Sequence, residues 1–194
     1  MIKGGAIIEH TNIALILIDV INDFQFDDGE QLLAQALSAA KNIANLKERA
    51  KMYNIPIIYV NDNFKNWDLD FVELVEQCLR QEERDKPFVK LLKPNIGDYH
   101  ILKPSYSGFY ATPLQLLLDD LNIDTLIITG VAGDMCVQFT ANDAFMRGFN
   151  LYVPKDCIAS KTEAANDIAL KQMKEILKAD ITVADQVVLH HYIQ

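Results

Sequence analysis

Leu126-Ile-Ile-Thr129-Gly130-Val-Ala-Gly133-Asp134-Met-Cys136 reads as a strand, a tight glycine loop and the start of a helix. Leu126 to Thr129 is the strand and Gly130 to Gly133 the loop. Asp134 is placed to cap a helix that runs on to Gly148. Cys136 then falls in the first helical turn, where unpaired N–H groups and the helix dipole favour a thiolate. The carboxylate of Asp134 works against this, so a cation from elsewhere in the chain would help.

The same alternation extends in both directions. Ile13 to Ile18 is a continuous apolar run ending at Asp19, as expected of a strand buried on both faces. Leu33, Leu37, Ala40, Ile43, Ala44 and Ala50 recur at helical spacing. Pro56 opens a second short run, Ile57 to Val60, and Phe71, Leu74, Val75 and Cys78 form the next helical stripe. Gln81 to Asp98 is charged and proline-broken and reads as a long excursion. Tyr99 to Leu102 is a third strand, and Thr112 caps a helix with Pro113 at its first position. Leu126 to Thr129 is the fourth strand and Leu151 to Val153 the fifth. Ser160 and Glu163 have capping-box spacing before the stripe Ala165, Ile168, Ala169, Met173, Ile176. Ile181 to Val183 is the expected sixth strand. Strand and helix alternate throughout, so the fold class is α/β: a mostly parallel six-stranded sheet in a three-layer αβα arrangement.

At 194 residues and 50% hydrophobic, the chain can bury a full core without staples. No linker, repeat or low-complexity tract divides it, so residues 1–194 read as a single domain. A net charge of -9 repels phosphate backbones and argues against nucleic acid as a partner. Cys78, Cys136 and Cys157 are too few and odd in number for a disulfide framework, which fits a reducing, cytoplasmic setting. The N-terminus has no signal-type apolar run, and Ile13 to Ile18 is far short of a membrane span. A soluble protein without membrane partners is expected.

Ligands of open α/β sheets bind beyond the carboxyl ends of the strands. The residues there are Asp19, Asn61 to Asn63, Lys103, and Gly130 to Cys136. Each has an ordinary reading as well. Asp19 is a helix cap or loop anchor, or a site residue. Lys103, before Pro104, is commonly a solvated lysine, and a buried cysteine is commonly core. Together on one edge, a base, a cation and a thiol make the arrangement an activated nucleophile needs. Cys78 lies on an apolar stripe and the loop of Cys157 has no glycine, so neither has this context.

Three motifs in order resemble those of the isochorismatase-like cysteine hydrolases, from about residue 12 to residue 183. The first is Asp19-Val-Ile-Asn22-Asp23-Phe24. The second is Lys103-Pro-Ser-Tyr-Ser107-Gly-Phe109 with Thr112 and Leu114. The third is Thr129-Gly-Val-Ala-Gly-Asp-Met-Cys136-Val with Thr140-Ala-Asn-Asp143-Ala and Gly148. The resemblance implies a Rossmann-like six-stranded fold, in a homodimer or homotetramer, and an Asp19–Lys103–Cys136 triad. It also implies an oxyanion hole from the N–H groups of Ala132 and Cys136, and a cis peptide between Val131 and Ala132.

Two departures stand out. Ile21 occupies a position where the family usually has glutamine. Nicotinamidases of the family carry an aspartate and two histidines after the second strand that bind a metal. Here the stretch is Asn61-Asp62-Asn63-Phe64-Lys65-Asn66-Trp67, without histidine. His10, His100, His190 and His191 have no metal-ligand spacing in the site region, so neither metal nor cofactor is expected. Asn63, Phe64 and Trp67, with Phe24, Tyr106 and Phe109, either line the pocket or simply pack beneath a loop.

A dinucleotide site would need a glycine-rich turn after the first strand, and Asp19-Val-Ile-Asn-Asp-Phe has no glycine. A non-catalytic binding protein on the same fold would not need Asp19, Lys103 and Cys136 together. Vinyl-ether hydrolysis of the isochorismatase type can proceed in the family from the aspartate without a cysteine. Keeping Cys136 with Lys103 points instead to cleavage of a carbon–nitrogen bond in a small amide, ureido or carbamoyl compound.

Overall fold

The computed structural model describes residues 12–80 and 86–189. Its six strands form a sheet in the order β3–β2–β1–β4–β5, with β6 also paired to β4. These are β1 (Ile13–Ile18), β2 (Ile57–Asp62), β3 (Tyr99–Lys103), β4 (Thr125–Val131), β5 (Asn150–Tyr152) and β6 (Ile158–Ala159). Every strand pairing among the described residues is parallel. The helices are α1 (Gly29–Met52), α2 (Phe71–Arg80), α3 (Lys86–Leu92), α4 (Leu114–Asp120), α5 (Gln138–Met146) and α6 (Glu163–Glu175). None of the described helices is long and apolar enough to cross a membrane.

The pattern of β1 explains the three layers. All six of its residues are buried because they alternate between two apolar clusters. Ile13, Leu15 and Leu17 pack with α1, α2 and α3, whereas Ala14, Ile16 and Ile18 pack with α4, α5 and α6. A strand covered on both faces has no polar side, which is why its sequence is a continuous apolar run. Cys78 and Cys157 belong to the first of these clusters.

From β1 the chain moves outward to β2 and β3, and from β4 it moves the other way to β5. The topological switch therefore lies between β1 and β4, and their carboxyl ends open the crevice where such folds bind ligands. Gly130 permits this closeness. It pairs with Ile18, has φ +115°, and an added Cβ would lie 2.0 Å from the Ile18 carbonyl oxygen. Gly130→Ala is expected to cost at least ~3 kcal/mol from backbone strain and overpacking. In a chain of this size that is a fall in Tm of roughly 10 °C. Thermal unfolding checks this, and a Tm unchanged within about 2 °C would contradict it.

Several expectations from the sequence are corrected. The sixth strand is Ile158–Ala159, not Ile181 to Val183; the latter stretch meets the sheet only next door, through a single bridge between Tyr152 and Asp180. Val153 donates to the Asp180 carbonyl and Asp180 to that of Leu151, after which the chain turns away. Asp134 does not cap an α-helix. Residues Gly133–Val137 form a π-helical turn, α5 begins only at Gln138, and the Asp134 N–H donates to Ser160 Oγ at 3.0 Å. Ser160 is thereby used and does not cap α6. Thr162 caps it, accepting from the Ala165 N–H. The helix expected to start on Pro113 starts at Leu114, although Thr112 Oγ1 does accept the Leu114 N–H at 3.3 Å.

The excursion from Gln81 to Asp98 contains α3; residues 81–85 lie outside the described set. It is pinned to α1 by a buried lysine. Lys47 Nζ donates to Tyr59 Oη, the Lys93 carbonyl and Asn95 Oδ1, and pairs with Asp98 at 3.0 Å. All these acceptors offset the burial of the ammonium, and they fix the chain just before it enters β3, whose last residue is Lys103.

Candidate active site

Three strand ends bring Asp19, Lys103 and Cys136 together. Lys103 Nζ lies 3.0 Å from Asp19 Oδ2 and 3.4 Å from Cys136 Sγ. Lys103 is fully buried, Asp19 is 5% exposed and Cys136 is 9% exposed. Lys103 Nζ also donates to the Ser105 carbonyl at 3.1 Å. A fourth group is Asp62, the last residue of β2, which the sequence places among the strand-end residues without assigning it a role. Its Oδ2 lies 3.5 Å from Lys103 Nζ, and its N–H donates to Asp19 Oδ1 at 2.7 Å. Its place at a strand end beside Asp19 and Lys103 was the available signal.

The second and third sequence motifs are the struts of this cluster. Gly108 donates its N–H to Thr140 Oγ1 at 2.9 Å, and that hydroxyl donates to the Cys136 carbonyl at 2.7 Å. Ser107 Oγ donates to Asp143 Oδ2 and accepts the Phe109 N–H. The loop carrying Lys103 is thus tied to the turn carrying Cys136. Within that turn the Ala132 carbonyl accepts the N–H groups of Met135 and Val137, and the Val131–Ala132 peptide is cis. Gly133 sits so close to Asn166 Oδ1 and Ser160 Oγ that a Cβ would lie within 2.5 Å of the former.

Electrostatics correct one expectation. Burial and a neighbouring carboxylate, not helix-turn dipoles, have the largest influence on the Cys136 thiol. Burial pushes its thiol well above the ordinary range, the Asp19 charge adds to this, and Lys103 opposes it. Burial also raises Asp19, against the pull of Lys103. Burial pulls Lys103 down, but Asp19, Cys136 and Asp62 outweigh it and favour the charged ammonium. The cluster pairs a thiol held up by burial with the Asp19 carboxyl, made more basic by burial, beside the Lys103 ammonium. Such a set can move a proton from sulfur to Asp19 when an acceptor for sulfur's electrons arrives.

The sequence matches the isochorismatase domain over residues 13–185. The chain belongs to the isochorismatase family. It is an isochorismatase-family hydrolase, and solved structures of isochorismatase-like proteins share its fold. It is 42% identical over 175 residues to YaaI of Bacillus subtilis (strain 168), an isochorismatase family protein; the match covers 90% of this chain and 96% of YaaI. It is 30% identical to the ureidoacrylate amidohydrolase RutB of Serratia proteamaculans (strain 568) over 68% of this chain, and spans 63% of that protein. The pyrazinamidase/nicotinamidase structure from Streptococcus mutans UA159 superposes with a TM-score of 0.68 at 29% identity, covering 87% of this chain and 99% of that one.

Other positions of the isochorismatase-family motifs have definite places. Ile21, where glutamine is usual, is fully buried in the core layer of α1 to α3. Its backbone is clamped by the Asn61 amide, which accepts its N–H at 3.0 Å and donates to its carbonyl at 2.8 Å. Among the aromatic and polar candidates for lining, Phe24 is fully buried and packs edge-on against Phe88. Phe109 is buried with the Arg147 guanidinium over its ring. Tyr106 packs at a tilt against Phe139 and is half exposed. Asn63 is buried, its Oδ1 accepting the Lys65 N–H, while Phe64 and Trp67 are exposed. Phe64 and Lys65 adopt left-handed backbone, as do Asp19 and Phe24.

The donors do not fit the family's metal site. Asp62 is followed by Asn63 and Phe64, its Oδ1 accepts the Phe64 N–H at 2.6 Å and its Oδ2 faces the Lys103 ammonium. A dication there would lie against that ammonium. No group of three His, Cys, Asp or Glu among the described residues could hold a metal. His100 stacks on Phe71, and His10, His190 and His191 lie outside the described residues.

Because Lys103 is the group that lowers the Cys136 thiol, Lys103→Met should slow alkylation of Cys136 at a given pH and move its profile to higher pH. Iodoacetamide labelling across a pH series, with peptide mass analysis, reads this. An unchanged profile would remove Lys103 from that role.

Proposed function

We propose that this isochorismatase-family hydrolase cleaves a carbon–nitrogen bond of a small amide, ureido or carbamoyl compound through a thioester at Cys136. The supporting observation is the Lys103 ammonium in contact with both Asp19 and Cys136 Sγ. The relatives named above, an amidohydrolase acting on ureidoacrylate and a nicotinamidase, point to the same bond class.

Asp19 takes the thiol proton as sulfur attacks the carbonyl carbon. Charge develops on the carbonyl oxygen, and the N–H groups of Ala132 and Cys136 are its donors; loss of one such donor typically costs ~10²–10³ in rate. Protonated Asp19 then gives its proton to the leaving nitrogen as the C–N bond breaks. A water deprotonated by Asp19 attacks the thioester, and the thiol is restored by the same proton. Burial keeps Asp19 basic enough to accept, and Lys103 keeps it acidic enough to return the proton.

Ammonia release from a panel of primary amides, ureas and carbamoyl compounds tests the reaction class. Turnover is expected to survive exhaustive chelation, since the donors after β2 do not form a metal site. A stoichiometric zinc, iron or manganese ion whose removal stops turnover would contradict that expectation.

A further inference from the structure

We infer that Asp62 sets the charge selectivity of the site, disfavouring anionic substrates and admitting neutral or cationic ones. The inference rests on the reading of Cys136 as the reacting thiol. It starts from the unequal number of charges around Lys103. That single ammonium faces two carboxylates, Asp19 at 3.0 Å and Asp62 at 3.5 Å. Asp19 and Lys103 are sealed, with side-chain exposures of 7% and 0%, whereas the Asp62 side chain is 31% exposed. The sealed pair balances its own charge and the remaining negative charge stands toward solvent.

Proton movement does not change this balance. With the proton on sulfur, Asp19 and Asp62 carry two negative charges against one positive. With the proton on Asp19, the thiolate and Asp62 carry the same two. An approaching carboxylate is therefore repelled by an excess negative charge in either state, a neutral amide is not, and an ammonium is attracted.

Asp62 is also held in place. Its Oδ1 accepts the Phe64 N–H at 2.6 Å, and its own N–H is fixed on Asp19 Oδ1. The exposed loop that follows carries Asp68 and Asp70 against Lys65, so it adds no net positive charge.

Two alkylating agents of nearly equal size test this without knowledge of the substrate. Iodoacetamide is neutral and iodoacetate is anionic, and both react with the thiolate. The ratio of their rates at Cys136 cancels the thiolate fraction and reports the local potential. Labelling is followed at pH 8 by peptide mass analysis, with 2-mercaptoethanol as the reference thiol. Cys136 is expected to disfavour iodoacetate roughly tenfold more than the reference does. Asp62→Asn, which keeps an acceptor for the Phe64 N–H, should bring the ratio most of the way to the reference, and Asp62→Glu should retain the wild-type preference. The wild-type ratio tests the sign even if a variant is insoluble.

A wild-type ratio at or below the reference, or an unchanged ratio in Asp62→Asn, would overturn the inference alone. Failure of both reagents to label Cys136 would overturn it together with the reading beneath it. With any amide that is turned over, the same bias should appear as a lower kcat/KM for succinamate than for succinamide or 4-aminobutanamide. Equal kcat/KM for all three would count against Asp62.

Discussion

Cys136→Ala is expected to abolish turnover, with kcat falling by at least ~10⁴-fold. Alanine keeps the volume of the turn nearly intact and removes the one atom that contacts Lys103 and is hydrogen-bonded to Asp19. The struts that hold the turn use backbone groups: the Cys136 carbonyl to Thr140 and the Asp134 N–H to Ser160. They survive the substitution, so folding should too, and a near-wild-type Tm separates lost chemistry from lost structure. Cys78→Ala and Cys157→Ala remove buried thiols of the opposite core layer and should leave kcat within a few-fold. Near-wild-type hydrolysis by Cys136→Ala would show that sulfur is not the nucleophile.

Asp19→Asn has the second largest expected effect, and its two readouts move in opposite directions. Turnover should fall by roughly 10³–10⁴, because Asp19 is asked to accept and return a proton in both halves of the reaction. Alkylation of Cys136 at fixed pH should instead become faster. After burial, the Asp19 charge is the largest influence holding the thiol up, and asparagine removes it while Lys103 remains. The Lys103 ammonium keeps Asp62 and the Ser105 carbonyl as partners, which limits the cost of losing one carboxylate. Steady-state assays and iodoacetamide labelling on the same preparation check both. Unchanged turnover, or labelling that slows in step with turnover, would remove Asp19 from the acid–base role.

The site was legible to the extent that it is written at strand ends. Ile13 to Ile18 and Leu126 to Thr129 announce themselves as buried strands and Tyr99 to Leu102 as a further strand, so Asp19, Lys103 and Cys136 had to share an edge. Parallel register did the rest: Ile18 pairs with Gly130, and Asp62 with Lys103. Asp62 was harder to see because it is the polar end of a strand read as ending at Val60. Its importance comes from Lys103, at the end of the next strand, which lies beside it only once the sheet has formed.

Other features were hidden for local reasons. β6 is only Ile158–Ala159, too short for any periodicity, and it pairs because Gly130 and Val131 extend β4 past its apolar run. Ile181 to Val183 has strand composition, yet only neighbouring Asp180 bridges to Tyr152. Asp134 and Ser160 both looked like helix caps from spacing. Each was diverted by the other, since the Ser160 hydroxyl takes the Asp134 N–H and donates to Asn166. Such a contact joins residues from two separate βα units, and local pattern carries no trace of it. The thiol's raised pKa was hidden in the same way, because dipoles are local while burial depends on the whole fold.

The most direct measurement of the central claim is rapid quench during turnover of an amide that the enzyme hydrolyses, followed by peptide mass analysis. The account predicts a mass increase equal to the acyl group on the peptide containing Cys136, forming and decaying at rates compatible with kcat. No such increase is predicted on the peptides of Cys78 or Cys157. An acyl group on another residue, or turnover with no covalent species at any quench time under conditions that preserve a thioester, would contradict it.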